Sequence, residues 1–183
     1  MRKVEVVPPS TAWPAAFARA AQAIAVTLGD TVIAIHHIGS TAIPDIYAKP
    51  IIDLLIEVAE LERVDACQAA MMALGYQAMG EYGIPGRRYF RKDNAAGVRT
   101  HHVHAFAAGT GQVRRHLAFR DYLVAHPAAA QEYSELKRRL ALAHPTDIEQ
   151  YMDGKHDFIQ AIDQQAAQWS ASRSIPDLPP SFP

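Results

Sequence analysis

The sequence predicts an α+β fold, with a mixed β-sheet, an N-terminal helix before it and a C-terminal helical bundle packed beside it. Three observations carry that expectation. Two β-branched, apolar runs, residues 31–38 and 51–58, flank a small-residue turn at Gly39-Ser40-Thr41. Two further extended runs, 87–91 and 100–107, bracket Asp93-Asn94-Ala95-Ala96-Gly97, which marks a hairpin. From Gly111 onward the apolar residues fall at helical spacing. The expectation is a single domain over residues 1–169, with the sheet at about 30–108 and the C-terminal helices at about 111–169. The serine- and proline-rich stretch 170–183 is expected to be a disordered tail.

Taken in order, residues 4–7 read as a short strand ended by Pro8-Pro9. Ser10 or Thr11 opens a helix, with Pro14 tolerated in its first turn. Phe17, Ala21, Ile24 and Leu28 give that helix one apolar face, and Gly29 stops it. The run 51–58 is continuously apolar, so it is expected to be an interior strand covered on both faces, with Asp53 and Glu57 as exceptions. Leu61, Val64, Met71 and Leu74 mark an amphipathic helix stopped by Gly75. Val113, Leu117 and Val124 form the stripe of the first C-terminal helix. Pro127 opens the next, whose stripe is Tyr133, Leu136, Leu140 and Ala143. Thr146 with Glu149 reads as a capping box for a last helix whose core side is Tyr151, Phe158, Ile162, Ala166 and Trp169.

Composition narrows the function classes. Of 183 residues, 49% are hydrophobic and 20% charged, ordinary for a soluble globular domain with its own core. A formal net charge of -1 argues against general nucleic-acid binding or a membrane-surface grip. Cys67 stands alone, so a reducing, cytoplasmic setting is the expectation. It lies among alanines without a basic neighbour and reads as inert. The first ten residues lack the apolar centre of a signal peptide, and no run approaches the roughly 20 apolar residues of a membrane span.

The organising stretch is His36-His37-Ile38-Gly39-Ser40-Thr41, a loop, then Ala48-Lys49-Pro50-Ile51-Ile52-Asp53-Leu54-Leu55-Ile56-Glu57. A glycine-serine turn followed by a strand carboxylate is similar to the arrangement by which nucleotidyltransferases hold a triphosphate and its metal. The stretch HIGSTAIPDIYAKPIIDLLIEV resembles the signature of the GrpB family, a nucleotidyltransferase-like group. Arg87-Arg88-Tyr89-Phe90, His102-Val103-His104, Phe119-Arg120-Asp121-Tyr122-Leu123, Glu132-Tyr133 with Leu136-Lys137, and Tyr151 with Gly154-Lys155 extend the match. The resemblance runs from about Val4 to Trp169. It implies a nucleotidyltransferase-like sheet and says little about activity. It also covers a domain fused to dephospho-CoA kinases in some proteins. The kinase part is absent here, and Gly154-Lys155 lacks the glycine loop of a P-loop.

Asp53, Leu55 and Glu57 share one strand face. Active nucleotidyltransferases usually carry a second acid two residues after the first, which here is Leu55. Glu57 lies about 13 Å along the strand, too far to complete a two-metal site with ions about 3.5–4 Å apart. Asp53 therefore either holds a metal or substrate or hydrogen-bonds the Gly39–Thr41 turn; Glu57 is expected to be solvated. His102 and His104 share a face about 7 Å apart. The resemblance suggests that the family carries histidines where other nucleotidyltransferases place a third acid. With Asp53 they could hold one divalent ion (Mg, Mn or Zn), or one could act as a base. His37 is expected beside them, and His36 on the other side. The remaining histidines carry no spacing signal.

Gly39, Ser40, Thr41 and Lys49 are the expected phosphate contacts of the turn. Arg120, Lys137 and Lys155 fall on the apolar sides of three helices and are expected to converge on an anion, against the alternatives of snorkelling and of ion pairs with Asp121 or Asp157. Of Arg87 and Arg88, only one can face the site. Two functions follow. One is a metal-dependent transferase acting on a nucleotide or another phosphorylated small molecule. The other is a catalytically silent module that binds such an anion, with a partner protein as a possible associate. A metal-dependent hydrolase built on the two histidines ranks below both, because no further ligand motif accompanies them.

Overall fold

A computed structural model describes residues 3–173. The elements are β1 (Val32–Ile38), β2 (Ile52–Val58), β3 (Tyr76–Ala78), β4 (Arg87–Asp93) and β5 (Arg99–Ala107), with helices α1 (Ala12–Leu28), α2 (Leu61–Ala66), α3 (Gln68–Ala73), α4 (Gly111–Ala125), α5 (Pro127–Ala143), α6 (Ile148–Asp153) and α7 (His156–Arg173). The strands form one sheet in the order β1-β2-β5-β4-β3. β1 and β2 pair antiparallel, β2 and β5 parallel, and β4 with β5 and β3 with β4 antiparallel. The predicted mixed sheet, N-terminal helix and C-terminal helices are all present.

Side-chain alternation gives the sheet two different faces. Ile52, Leu54, Ile56 and Val58 of β2 join Phe90, Val103 and Ala105 against α1, α2 and α3, where Ile24, Val64 and Met71 are buried. The other face presents Ile38, Leu55 and Phe106 to Val113 and Leu117 of α4. Ile43, Ile46, Leu123, Tyr133 and Ile162 continue that core among the C-terminal helices. Asp53, His102 and His104 belong to this second face, in the crevice between sheet and helices.

Several local expectations are corrected. The strand over 4–7 reduces to one bridge, Val7 to Ala48, while the Val4 N–H donates to Pro145 O. The helix expected from Leu61 is two short helices that meet at Cys67, whose backbone (φ -92°, ψ 7°) leaves helical geometry. Near the end of α4 the residue turned inward is Leu123, while Val124 faces solvent at 46% exposure. Thr146 does not cap α6; Asp147 does, accepting from the Gln150 N–H at 3.0 Å. The last helix is two, α6 and α7, with Gly154-Lys155 between them rather than within a helix. A Cβ on Gly154 would stand 3.1 Å from Leu140 Cδ1, so this break lets α6 pack closely on α5. Helix α7 runs through Ser170 to Arg173, where the tail was expected to begin. The remainder of the expected tail, and residues 1–2, lie outside the described residues.

Candidate functional site

The turn after β1 is built around Asp53. Gly39 has φ 69°, a conformation that glycine adopts without a Cβ penalty. A Cβ there would stand 2.9 Å from Asp53 Cγ and collide with Oδ2. Glycine is therefore required twice, once for the backbone and once to let the carboxylate approach. The turn itself is tied by Thr41, whose hydroxyl donates to Ile51 O at 3.0 Å and meets His37 Nε2 at 3.0 Å. Thr41 is buried, so its hydroxyl serves the turn rather than a ligand. Asp53 takes its hydrogen bond from elsewhere.

That bond comes from β5. Parallel register sets Asp53 beside His102 and Leu55 beside His104. His102 Nδ1 lies 2.9 Å from Asp53 Oδ1. Burial pushes the Asp53 carboxyl up, but the His102 hydrogen bond, the charges of His102 and His104, and Lys49 together hold it below its ordinary value. An ionised Asp53 fixes the Nδ1–H tautomer of His102. Its Nε2 then faces the Arg99 guanidinium, 3.5 Å away. His104 is more deeply enclosed, and burial above all lowers its imidazole to about 3, so it is neutral near pH 7. Its Nδ1 is 3.4 Å from Arg87 Nη1, so Arg87, not Arg88, faces the site. Arg88 is held by Asp65 on the opposite face.

One ligand atom from each of Asp53, His102 and His104 lies within 4.8 Å of the others. The donor set fits one divalent ion. Two ligands at right angles on bonds of about 2.1 Å are roughly 3 Å apart, and Asp53 Oδ1 and His102 Nδ1 are at 2.9 Å, so an ion entering between them would displace the Nδ1 proton that His102 otherwise gives to Asp53. Two imidazoles and a carboxylate suit zinc or manganese better than magnesium, which prefers an all-oxygen shell. Arg87 adds positive charge beside His104, which favours an ion that arrives with an anionic co-ligand.

A cavity of about 240 Å³ opens next to Asp53 and His102 and is lined by Gly39, Ser40, Lys49, Tyr133, Tyr151, Lys137 and Lys155. The three lysines come from the loop before β2, from α5 and from the α6–α7 junction. Lys137 Nζ sits 4.4 Å from the Tyr133 ring centroid and is buried with no hydrogen-bond partner among the described residues. Lys155 Nζ lies 4.6 Å from the Tyr151 centroid and touches Met152 Sδ at 3.3 Å. Lys49 Nζ is 5.0 Å from the same ring. Burial, with Lys155 nearby, lowers Lys137 to about 7; burial, with Lys49 nearby, lowers Lys155 to about 8. Three lysines are thus drawn into a partly apolar wall. Water would solvate the Lys137 ammonium better, so the arrangement suits an anion that supplies the partner Lys137 lacks among the described residues.

A second cavity of about 220 Å³ touches the other side of Asp53 and is lined by His104, Arg115, His116, Phe119 and Ile159 among others. Gly39, Asp53, Phe119 and Tyr133 wall both cavities. The sequence reading missed Phe119, Tyr133, Tyr151 and His116. An aromatic on a helix stripe reads as core, and Tyr133 and Tyr151 are buried core residues that also border a cavity, while Phe119 and His116 are partly buried and border one too. Phe119, Tyr133 and Tyr151 stood in the stretches that carry the family resemblance, and His116 carried no signal.

Three expectations do not hold. Arg120 lines neither cavity; it donates to His37 O at 3.0 Å and pairs with Asp121 at 2.7 Å, bracing the end of β1. His37 and His36 are exchanged. Antiparallel register sets His37 opposite Leu54 and His36 opposite Leu55. His37 therefore stacks on Phe17 of α1, with ring centroids 4.7 Å apart. His36 lies on the Asp53 side and contacts Glu57 Oε1 at 2.9 Å. Glu57 is accordingly not free in solvent; its Oε2 also accepts the Gly109 N–H at 3.3 Å.

A family model described as GrpB protein matches residues 3–165. The UPF0157 protein YqkA of Bacillus subtilis (strain 168) is 46% identical over 173 residues, which are 94% of this chain and 50% of that protein. The crystal structure of conserved protein GrpB from Enterococcus faecalis is similar at a TM-score of 0.87 and 44% identity, covering 91% of this chain and 99% of that one. A dephospho-CoA kinase of Mycolicibacterium paratuberculosis is 28% identical over 192 residues, which are 92% of this chain and 47% of the kinase. The chain thus spans half the length of YqkA and less than half of that kinase. Among the described residues, no helix is long and apolar enough to cross a membrane.

Proposed function

The chain belongs to the GrpB family, and we propose that its Asp53 crevice binds a phosphorylated small molecule, a nucleotide among them, together with one divalent ion. The phosphates lie against Lys49, Lys137, Lys155 and Ser40. Asp53, His102 and His104 hold the ion (Mg, Mn or Zn), which when bound neutralises phosphate charge and polarises it for transfer. Gly39 lets the carboxylate reach the turn, and Ser40 lines the same cavity. The observation that carries this reading is the Lys137 Nζ, buried without a hydrogen-bond partner among the described residues, in a wall that holds two more lysines. An anion beside it turns a desolvation penalty into charge-assisted hydrogen bonds.

Leu55 decides between transfer and binding alone. It is fully buried against Ile38, Phe106 and Val113, and no other acid stands beside Asp53 on β2. That favours, as a second reading, a module that binds the anion without transferring a group, acting with a partner protein. In the transferase reading His102, held by Asp53, is the base toward an acceptor.

Thermal unfolding with pyrophosphate or ATP, with and without Mn²⁺, tests the proposal. At a ligand concentration one hundred times Kd, stabilisation of about 5–10 °C is expected. Lys155→Met should remove the anion shift, and Asp53→Asn its metal-dependent part. Release of pyrophosphate from ATP with an acceptor present would establish transfer. No shift with any phosphorylated ligand would refute both readings.

A further inference from the structure

Lys137 has a second chemical consequence. We propose that Lys137 is a nucleophilic amine that forms an imine with small phosphorylated aldehydes, the phosphate resting on Lys49 and Lys155. This deepens the phosphate-site reading by naming a substrate class, and it rests on that reading for its phosphate contacts.

The argument begins with the missing partner. An ammonium has three donors, and a buried one without acceptors is costly. Lys137 Nζ meets no acceptor among the described residues; its neighbours are the Tyr133 ring at 4.4 Å and the Lys155 charge. An uncharged amine avoids the penalty and keeps a lone pair. Burial beside a second cation is also how enzymes prepare a lysine for attack on carbonyls. Lys137 lowered to about 7 agrees with this placement. The group is not a sealed core residue, because its side chain forms part of the wall of the 240 Å³ cavity. Lys155 and Lys49 line the same cavity and can hold a phosphate there.

The chemistry balances without an external oxidant or reductant. Nζ attacks the carbonyl carbon and forms a C–N bond. Two N–H protons move to the carbonyl oxygen in turn, and that oxygen leaves as one water. Amine and aldehyde thus give imine and water. Lys155, lowered to about 8 and therefore largely protonated at pH 7, lines the same cavity and can hold a proton for the departing oxygen.

Glycolaldehyde phosphate is the probe. The unmutated protein is incubated with it at pH 7.5, reduced with borohydride and mapped by peptide mass spectrometry. The expected result is one reduced adduct, on Lys137, formed at least about tenfold faster than with unphosphorylated glycolaldehyde and suppressed by inorganic pyrophosphate. Adduct spread over surface lysines, no adduct on Lys137, or equal rates with and without the phosphate would overturn the proposal. Pyrophosphate stabilisation, measured on the same sample, separates the two readings. If it persists without an adduct, the phosphate site stands and the nucleophile falls. If it too is absent, both fall. Lys155→Met, checked for cooperative unfolding, should slow adduct formation while leaving Lys137 the labelled residue; labelling that moves elsewhere counts against the proposal.

Discussion

At the residue scale, Gly39 and Lys137 carry most of the meaning. Gly39 is left-handed and lies against Asp53, so Gly39→Ala meets both backbone strain and a collision. We expect a loss of about 2 kcal/mol or more in urea unfolding, above the cost of a strained Gly→Ala alone. Lys137 and Lys155 set the pH behaviour. Their folded values, about 7 and about 8, lie below the usual 10.5, so the unfolded chain holds more protons between those limits. For the free protein their contribution to stability therefore rises as pH increases from 7 towards 10.5. A bound anion reverses the preference by favouring the charged amines. Pyrophosphate binding should take up protons near pH 8 and weaken as pH rises from 6 to 9. Calorimetry in two buffers of different ionisation heat measures the uptake. Binding that strengthens with pH, or releases protons, would contradict the assignment.

At the scale of elements, the strand pair β2–β5 makes the site and the helices α5–α7 complete it. Parallel register brings Asp53 to His102 and Leu55 to His104, and alternation then gives one polar face. The sequence showed the alternation but not the register. His102 and His104 were therefore legible as a same-face pair, whereas His36 and His37 were assigned to the wrong faces. Which member of a consecutive pair points inward depends on the partner strand, and only antiparallel pairing with β2 settles it. The helical cations were partly legible, because Lys137 and Lys155 fall on apolar stripes. Arg120 does too, yet its longer guanidinium reaches the His37 carbonyl and Asp121 instead of the cavity. Leu55 yields the prediction for this scale. Leu55→Asp would place a second acid where active nucleotidyltransferases carry one, but inside the cluster of Ile38, Phe106 and Val113. A buried unpaired carboxylate should cost about 3 kcal/mol or more, so the variant should unfold at much lower urea and gain no transferase activity.

At the scale of the whole molecule, the sheet separates two tasks. One face packs α1–α3 into an apolar core and anchors the fold. The other holds the carboxylate, the imidazoles and the lysines under the C-terminal helices. Fold class was readable because, among the described residues, every strand ends by Ala107 and only helices follow it. The cavity was not readable, because it forms where side chains from five distant segments meet. Anion binding should therefore stiffen the C-terminal helices more than the sheet. Hydrogen exchange should slow in α5, α6 and the start of α7 on adding pyrophosphate. Protection confined to α1–α3 would place the ligand on the wrong face.

The most direct test of the shared metal and phosphate site is anomalous diffraction from crystals grown with Mn²⁺ and pyrophosphate. The account predicts one manganese peak within bonding distance of Asp53, His102 and His104, with pyrophosphate density against Lys137 and Lys155. Manganese bound elsewhere, for instance at Glu57, or pyrophosphate found only on the protein surface, would contradict it.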